Sequence, residues 1–492
     1  MDIHITLHGA SDLSGQIYSQ LRDSIVDGRL QADARLPSSR ALAAQLGVSR
    51  KTTLDVFERL VSEGFLVTRT GHGTFVAPYL DRIPLVQGRL DRPALDAPTL
   101  AQPSAIWHSI PTSLALPRPG TTLPLDFLGG VTDKSNFPAT AWRRCINHAL
   151  RTQLQGRGSY RDPAGEQELR LAISRYLAFN RAVVSNWQDV IISQGAQQAL
   201  DLIARVVIKA GDVVAMENPG YSPARACFTA LGAEVVSVPV DEHGLITTAL
   251  PQRAKLVYIT PSHQFPLGMP MSLERRLALL QWAQHSGAVI IEDDYDSEFR
   301  FEGRPMETLK SLDGAGLVAY VGTFSKTIFP ELRIGYVIAP SSLQATLHKA
   351  KQISDWHTCS LTQTALARFM LDGDFAKHLR RMQKQYVERR LCLLHHLQGP
   401  LAPWFDVVAP SAGIHMTALL KQDLSEAEVI AAARAESIGL YGIAHFYSEA
   451  PKRSGLLFGY GNMNSQQIEQ AMTTMLSILQ QLTINKAQKL AP

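Results

Sequence analysis

A lysine that directly follows an apolar, β-prone run can lose both its water and its charge, which makes its amine a nucleophile toward an aldehyde. Lys326 is placed in this way, in GTFSKTIFPELRIGY after the run 317–321. Thr323, Ser325 and Arg333 crowd the same loop and offer two hydroxyls and a cation suited to a phosphate. A second apolar run, 288–291, ends in Glu292, Asp293, Asp294 and Tyr295. A carboxylate beside a ring nitrogen keeps that nitrogen protonated, as an electron sink requires. After 190–193 comes QGAQQAL, where Gly195 and Ala196 open a helix whose free N–H groups can hold phosphate oxygens. Each feature alone is commonplace: lysines after strands are usually solvated, Asp pairs usually cap helices, and a glycine at a helix start is usually geometry. Their order along one stretch, phosphate loop then acid then lysine, is far harder to reach by accident.

The elements that must position these residues are visible as apolar runs at 190–193, 213–216, 235–240, 256–260, 288–291, 317–321 and 335–338, alternating with helical patterns. The spacing predicts a mostly parallel seven-stranded sheet covered on both faces, with ligands held beyond the strand C-terminal ends.

The first 77 residues follow a different pattern. Ile17, Leu21 and Ile25 predict an amphipathic helix capped by Ser14 and ending near Gly28. A second helix fits 39–46. Gly47 then turns the chain, Ser49 caps a third helix, and Leu54, Phe57, Leu60 and Val61 give that helix its apolar face as far as Gly64. Two β-prone stretches punctuated by Gly71 and Gly73 complete a winged helix-turn-helix. Arg50, Lys51, Thr52 and Thr53 start the third helix, where backbone N–H groups favour phosphate and side chains can reach base edges in a major groove. Arg69 and His72 on the hairpin can follow the adjacent backbone. Helix-turn-helix geometry also serves protein contacts, yet 34–54 holds Arg35, Arg40, Arg50 and Lys51 without an acid, although 1–77 balances eight acids against eight bases.

Composition bounds the rest. A chain of 492 residues, 45% hydrophobic and 19% charged, exceeds a single small module and has too much apolar material for wholesale disorder. No run approaches the roughly 18 apolar residues of a membrane span, and Met1 to His4 does not begin a secretion signal, so a soluble, cytoplasmic protein is expected. Cys145, Cys227, Cys359 and Cys392 stand far apart, and no His cluster has metal spacing, so neither a disulfide framework nor a metal site is expected. Nine prolines and no lysine in 78–124 predict a semi-rigid, extended linker.

Residues 16–76 resemble the DNA-binding domain of the GntR family, through LPSSR, LGVSR and GHGTFV. That resemblance implies DNA contacts from Arg35, Arg40, Arg50, Thr52 and the wing around Gly71 to Gly73. Residues from about 125 to 485 resemble fold type I aminotransferases that use pyridoxal 5′-phosphate, and the fusion of the two resembles the MocR subfamily of bacterial transcriptional regulators. The implied division is a winged-helix domain at 1–77, the linker at 78–124, a cofactor-binding large domain at 125–345 and a small C-terminal α/β subdomain at 346–492. The implied roles are Lys326 as the Schiff-base lysine, Asp293 as partner of the pyridine nitrogen and Tyr295 as partner of the phenolic oxygen. Ala196, Gln197, Thr323, Ser325 and Arg333 would bind the phosphate. Tyr221, in ENPGY, would stack on the ring, and Tyr160, in YRDPAG, would reach the phosphate of the partner subunit. In TPSHQFPLG, Phe265 replaces the asparagine usual in aminotransferases, and His263 or Gln264 substitutes for it. Arg453 is the nearest candidate to clamp an effector carboxylate, with Leu457 as the other occupant of the aligned position. The resemblance implies a head-to-tail homodimer that binds promoter DNA and senses pyridoxal phosphate or an amino-containing effector by aldimine chemistry. The alternative is a working aminotransferase with an attached DNA-binding domain.

Overall fold

The computed structural model describes residues 5–9, 11–78, 103–111, 123–156, 158–301, 307–408, 410–421, 424–449 and 452–490. Most of the linker expected at 78–124 lies outside them. The chain divides into two compact units, Met1–Pro103 and Ser104–Pro492.

The first unit builds three helices, Leu13–Val26, Ser39–Leu46 and Arg50–Ser62, and an antiparallel hairpin of Leu66–Arg69 with Gly73–Val76. This is the winged helix-turn-helix. The first helix is capped by Asp12, whose carboxylate accepts the Gly15 N–H at 3.1 Å, and Ser14 falls inside the first turn. A carboxylate at the positive end of the helix dipole does the work assigned to the hydroxyl. Gly47 ends the second helix at φ 67°, a left-handed conformation, and Ser49 caps the third by accepting the Thr52 N–H at 3.1 Å. The buried face of the third helix is Thr53, Val56, Phe57 and Leu60. Leu54 and Val61 instead point outward, 41% and 37% exposed. Thr53 can take an inward position because its hydroxyl donates to the carbonyls of Ser39 and Arg50 at 2.8 and 3.0 Å.

The second unit is organised on an eight-stranded sheet in the order Val190–Ser193, Gly335–Ile338, Val318–Thr323, Val289–Asp294, Ala254–Ile259, Val213–Asn218, Glu234–Asp241, Gly244–Leu245. Six strands run one way; Gly335–Ile338 and the two-residue Gly244–Leu245 oppose them. Successive strand residues enter different cores. Ile291, Ala319 and Tyr258 pack with Leu200 and Ile203 of helix Ala196–Val207. Ile290, Val318 and Val257 pack with Leu279 and Ala283 of helix Leu273–Ser286. Both faces are therefore covered, as continuous apolar strands demand.

A second, four-stranded antiparallel sheet contains Phe405–Val408, His415–Leu420, Gly455–Gly459 and Tyr441–Gly442. Helices Asp374–Gln398, Glu426–Ala435 and Ser465–Leu490 share its core. Leu125–Asp126, the first strand after the linker, pairs in parallel with Ile438–Gly439, and Leu125 and Phe127 are buried in this same C-terminal core. The four cysteines are free thiols. No described helix is long and apolar enough to cross a membrane.

Candidate functional site

The large sheet gathers the chemistry-bearing side chains at the C-terminal ends of its strands. Lys326 follows Val318–Thr323, and its Nζ donates to the Gly130 carbonyl at 2.9 Å. Gly130 has φ 78°, and a Cβ there would lie 2.5 Å from that nitrogen. Burial pulls the lysine pKa below its ordinary value, while Asp296 and Asp293 oppose the shift and Arg333 adds to it.

The neighbouring strand Val289–Asp294 sorts its three acids by alternation. Glu292 and Asp294 point to one side, where Glu292 accepts the N–H groups of Leu309 and Lys310 at 2.9 and 2.8 Å. Asp294 pairs with Arg181 and the Tyr320 hydroxyl. Asp293 points the other way. Its Oδ2 accepts the Tyr258 hydroxyl at 2.7 Å, and its buried Oδ1 has no partner. Burial raises its pKa to about 7, with the Tyr258 hydrogen bond acting against the rise.

Tyr295 donates to the His263 carbonyl at 2.9 Å and lies 3.3 Å from His263 Nδ1. That nitrogen in turn sits 2.9 and 3.0 Å from the two oxygens of Asp296. The His415 ring lies 4.4 Å from the His263 ring, and Asp296 also accepts the Ile414 N–H at 3.2 Å. Burial, reinforced by His263, pushes the His415 pKa down to about 3, so this imidazole is neutral. The Nε2 atoms of both histidines are buried without a partner. Gln264 is committed elsewhere: its amide N–H groups go to the carbonyls of Pro219 and Phe265, and its oxygen accepts the Leu267 N–H. Of the two residues offered in place of the asparagine, His263 is the one beside Tyr295. Tyr221 and Phe265 meet edge to face with centroids 5.6 Å apart.

The phosphate loop is equally constrained. Gly195 opens helix Ala196–Val207 at φ 78°, and a Cβ there would stand 2.7 Å from the Arg333 guanidinium. Arg333, itself at φ 52°, donates to the Gln194 carbonyl at 3.0 Å. Thr323 pairs with Gly335, whose Cβ position would fall 2.8 Å from the Gly195 backbone. The Thr323 hydroxyl donates to that of Ser325 at 3.0 Å and accepts the Ser325 N–H at 3.2 Å. A helix start, two hydroxyls and one guanidinium thus adjoin one another. The Gln197 side chain turns away and donates to the Pro223 carbonyl at 3.1 Å.

Two residues singled out from the sequence stand apart from this group. Tyr160 is 75% exposed and lies against Trp356, with centroids 4.7 Å apart and the rings tilted by 35°. Arg453 is exposed and acts electrostatically on Tyr447. At the other aligned position, Leu457 is buried, and a Cβ on Gly129 would meet its Cδ2 at 2.6 Å. Asp296, His415 and Gly130 were missed in the sequence. Asp296 lies three residues beyond Asp293 and could have been noticed, whereas His415 reaches His263 only through the fold.

On the head, Arg40, Arg50 and Lys51 are exposed, as are Gly71, His72 and Gly73 at the hairpin turn. Arg35 lies close to the wing, its Nε 3.4 Å from the Cβ position of Gly73. Arg69 is already paired with Asp33, and its guanidinium covers the Phe75 ring at 4.6 Å. The Thr52 hydroxyl lies 2.8 Å from that of Ser49.

Comparison with known proteins places both units. Residues 13–76 match the family of bacterial regulatory proteins, gntR family, and residues 130–474 match aminotransferase class I and II. The probable rhizopine catabolism regulatory protein MocR of Rhizobium meliloti is 33% identical, covering 94% of this chain and 92% of its own. The pyridoxine biosynthesis transcriptional regulator PdxR of Corynebacterium glutamicum is 30% identical, covering 94% and 95%. Among solved structures, the kynurenine aminotransferase of Pyrococcus horikoshii superposes with a TM-score of 0.68 at 25% identity, covering 73% of this chain and 92% of that one.

Proposed function

The chain belongs to the MocR type of transcriptional regulator, a gntR-family head joined to a domain of aminotransferase class I and II, and on that premise we propose that its grip on promoter DNA is set by what occupies the site around Lys326. The occupant is pyridoxal 5′-phosphate, alone or together with an amino-containing effector. The observation that carries this reading is the buried, unpartnered Oδ1 of Asp293 in the same site as a desolvated lysine amine. A pyridine nitrogen bearing a proton fits that oxygen, and the tight approach of Arg333 to Gly195 fits a phosphate.

When bound, the cofactor supplies an aldehyde that condenses with primary amines. The protein's own residues do the rest. Lys326 offers an amine whose ammonium form burial disfavours. Asp293 would hold a proton on the ring nitrogen, and the Tyr295 hydroxyl, which otherwise donates to the His263 carbonyl, would turn to the phenolic oxygen. Arg333, Thr323, Ser325 and the N–H groups of Ala196 and Gln197 receive the phosphate, and Tyr221 covers the ring. Tyr160, exposed on its own protomer, completes the phosphate site of the partner in a head-to-tail homodimer. The protein works in the cytoplasm, where Arg50, Lys51, Arg40 and the wing meet DNA. Leu457 beside Gly129 offers nothing to a substrate carboxylate, which favours a regulator over an efficient transaminase.

Three measurements test this reading. The purified protein should absorb visible light, Lys326→Ala should abolish that absorbance, and borohydride should fix the cofactor on the peptide containing Lys326. An adduct mapped to another residue, or steady transamination at the ~1–10³ per second of ordinary enzymes, would overturn it.

A further inference from the structure

Beside the cofactor site lies a cavity of about 710 Å³ whose walls come from three parts of the chain. One wall is helix Ser222–Ala230, with Arg225 and Thr229. Another is the turn Ala444–Phe446 together with Tyr447. The third is Ser109, Ile110 and Pro111, which lie in sequence between the DNA-binding head and the cofactor domain. This last segment is seated on the fold: the turn Ala105–Ser109 packs against helix Ser222–Ala230, and Ile106 reaches 4.0 Å from the Cβ position of Gly232. Gly220 and Ser222, on either side of Tyr221, also belong to the wall, so the cavity adjoins the cofactor site without including Lys326.

Arg225 gives the cavity its chemistry. Its guanidinium is half-buried, and its described hydrogen bonds go to neutral oxygens, the Val235 carbonyl at 3.4 Å and the Ser237 hydroxyl at 3.0 Å. Glu449 is the acid close enough to be felt by its charge, yet it forms no described ion pair with Arg225. His445 also lines the space, and burial lowers its pKa, so it adds no second cation at neutral pH. A half-buried guanidinium facing a cavity with only neutral partners is best satisfied by an anion with two oxygens. Ile110, Pro111, Phe446 and the Tyr447 ring supply apolar wall, interspersed with the hydroxyl residues Ser109, Ser222, Thr229 and Ser448. The volume falls within the roughly 300–1,000 Å³ typical of small-molecule sites.

We propose that this cavity is a second ligand site, which takes a small carboxylate with an apolar body, pairs it with Arg225 and holds it against the linker wall Ser109–Pro111. Its ligand needs no amine, because the site lacks Lys326, and so differs from anything that reacts at the cofactor. That binding bears on DNA through the linker is the part that rests on the regulator reading above.

Isothermal titration of the full, cofactor-loaded chain with phenylacetate, hexanoate and glutarate tests the site, with phenylacetamide as the uncharged control. At least one acid should bind saturably and leave the visible absorbance unchanged. The amide and the Arg225→Gln variant should each bind about tenfold more weakly or worse. Thr229→Phe, which fills the cavity, should also abolish binding, so a poorly folded Arg225→Gln does not leave the question open. If no acid binds, or if affinity survives both substitutions, the site is overturned. A labelled promoter fragment then reads the linkage. A shift in DNA affinity with the acid supports it, and Arg225-dependent binding without such a shift overturns it. A chain that binds the acid through Arg225 but no promoter at all would sink the regulator reading and leave the site standing.

Discussion

Asp293 is held at a cost that a protonated ring nitrogen would relieve. Its carboxyl titrates near 7 in the fold against about 4 when exposed, so between those values the folded state keeps a proton that the unfolded state has released. Stability from this group is therefore complete below about pH 4 and lost as the pH rises through 7. Glu217, buried against Thr260 and also raised to about 7, acts with the same sign. Lys326 has the opposite sign, since a lowered lysine pKa favours the fold at high pH. Cofactor-free protein should lose melting temperature from pH 4 to 7, and Asp293→Asn should lessen that slope while leaving the shares due to Glu217 and to Glu298, which burial raises to about 8. An unchanged slope would mean that the carboxyl is solvated. At this scale Lys326, Asp293 and Tyr295 were legible because each follows a buried strand or ends it. The His263–Asp296–His415 cluster was not, because no local spacing brings position 415 to position 263.

Among the elements, the loop from Ser193 into helix Ala196–Val207 tolerates little change. Gly195 combines φ 78° with a Cβ position 2.7 Å from the Arg333 guanidinium. Gly195→Ala should cost about 1–3 kcal/mol of local strain and displace Arg333. Cofactor affinity, followed by titration of the visible band, should fall roughly tenfold or more. The seven longer strands could be read from the sequence because strands in a covered sheet are near-continuous apolar runs, even at the half-exposed Glu234–Asp241. Gly244–Leu245, Leu125–Asp126 and Ile438–Gly439 could not, since two residues carry no period. Helix faces were legible to within one position. The periodicity chose Leu54 and Val61, and the fold prefers Thr53, whose hydroxyl finds carbonyls nearby. Likewise, Asp12 and Ser14 are both good caps, and only the backbone decides between them.

Across the whole molecule, the DNA-contacting residues and the cofactor residues lie in separate units, so a substitution on the head should leave the cofactor site intact. Arg50→Ala should weaken promoter binding and lower the salt dependence by about one unit of slope if it contacts phosphate. Anisotropy across a salt series would show this, and the visible absorbance should stay as in the wild type. The two-unit plan was legible in the sequence because a proline-rich stretch divides two unlike periodicities. The return of Leu125–Phe127 to the C-terminal core was hidden there, and it bears on how the chain is born. A ribosome releases Leu125 early, but the strand that secures it, Ile438–Gly439, emerges much later. Until then this strand lacks its partner, and a product cut short before it would leave the tether held only where the turn Ala105–Ser109 rests on helix Ser222–Ala230.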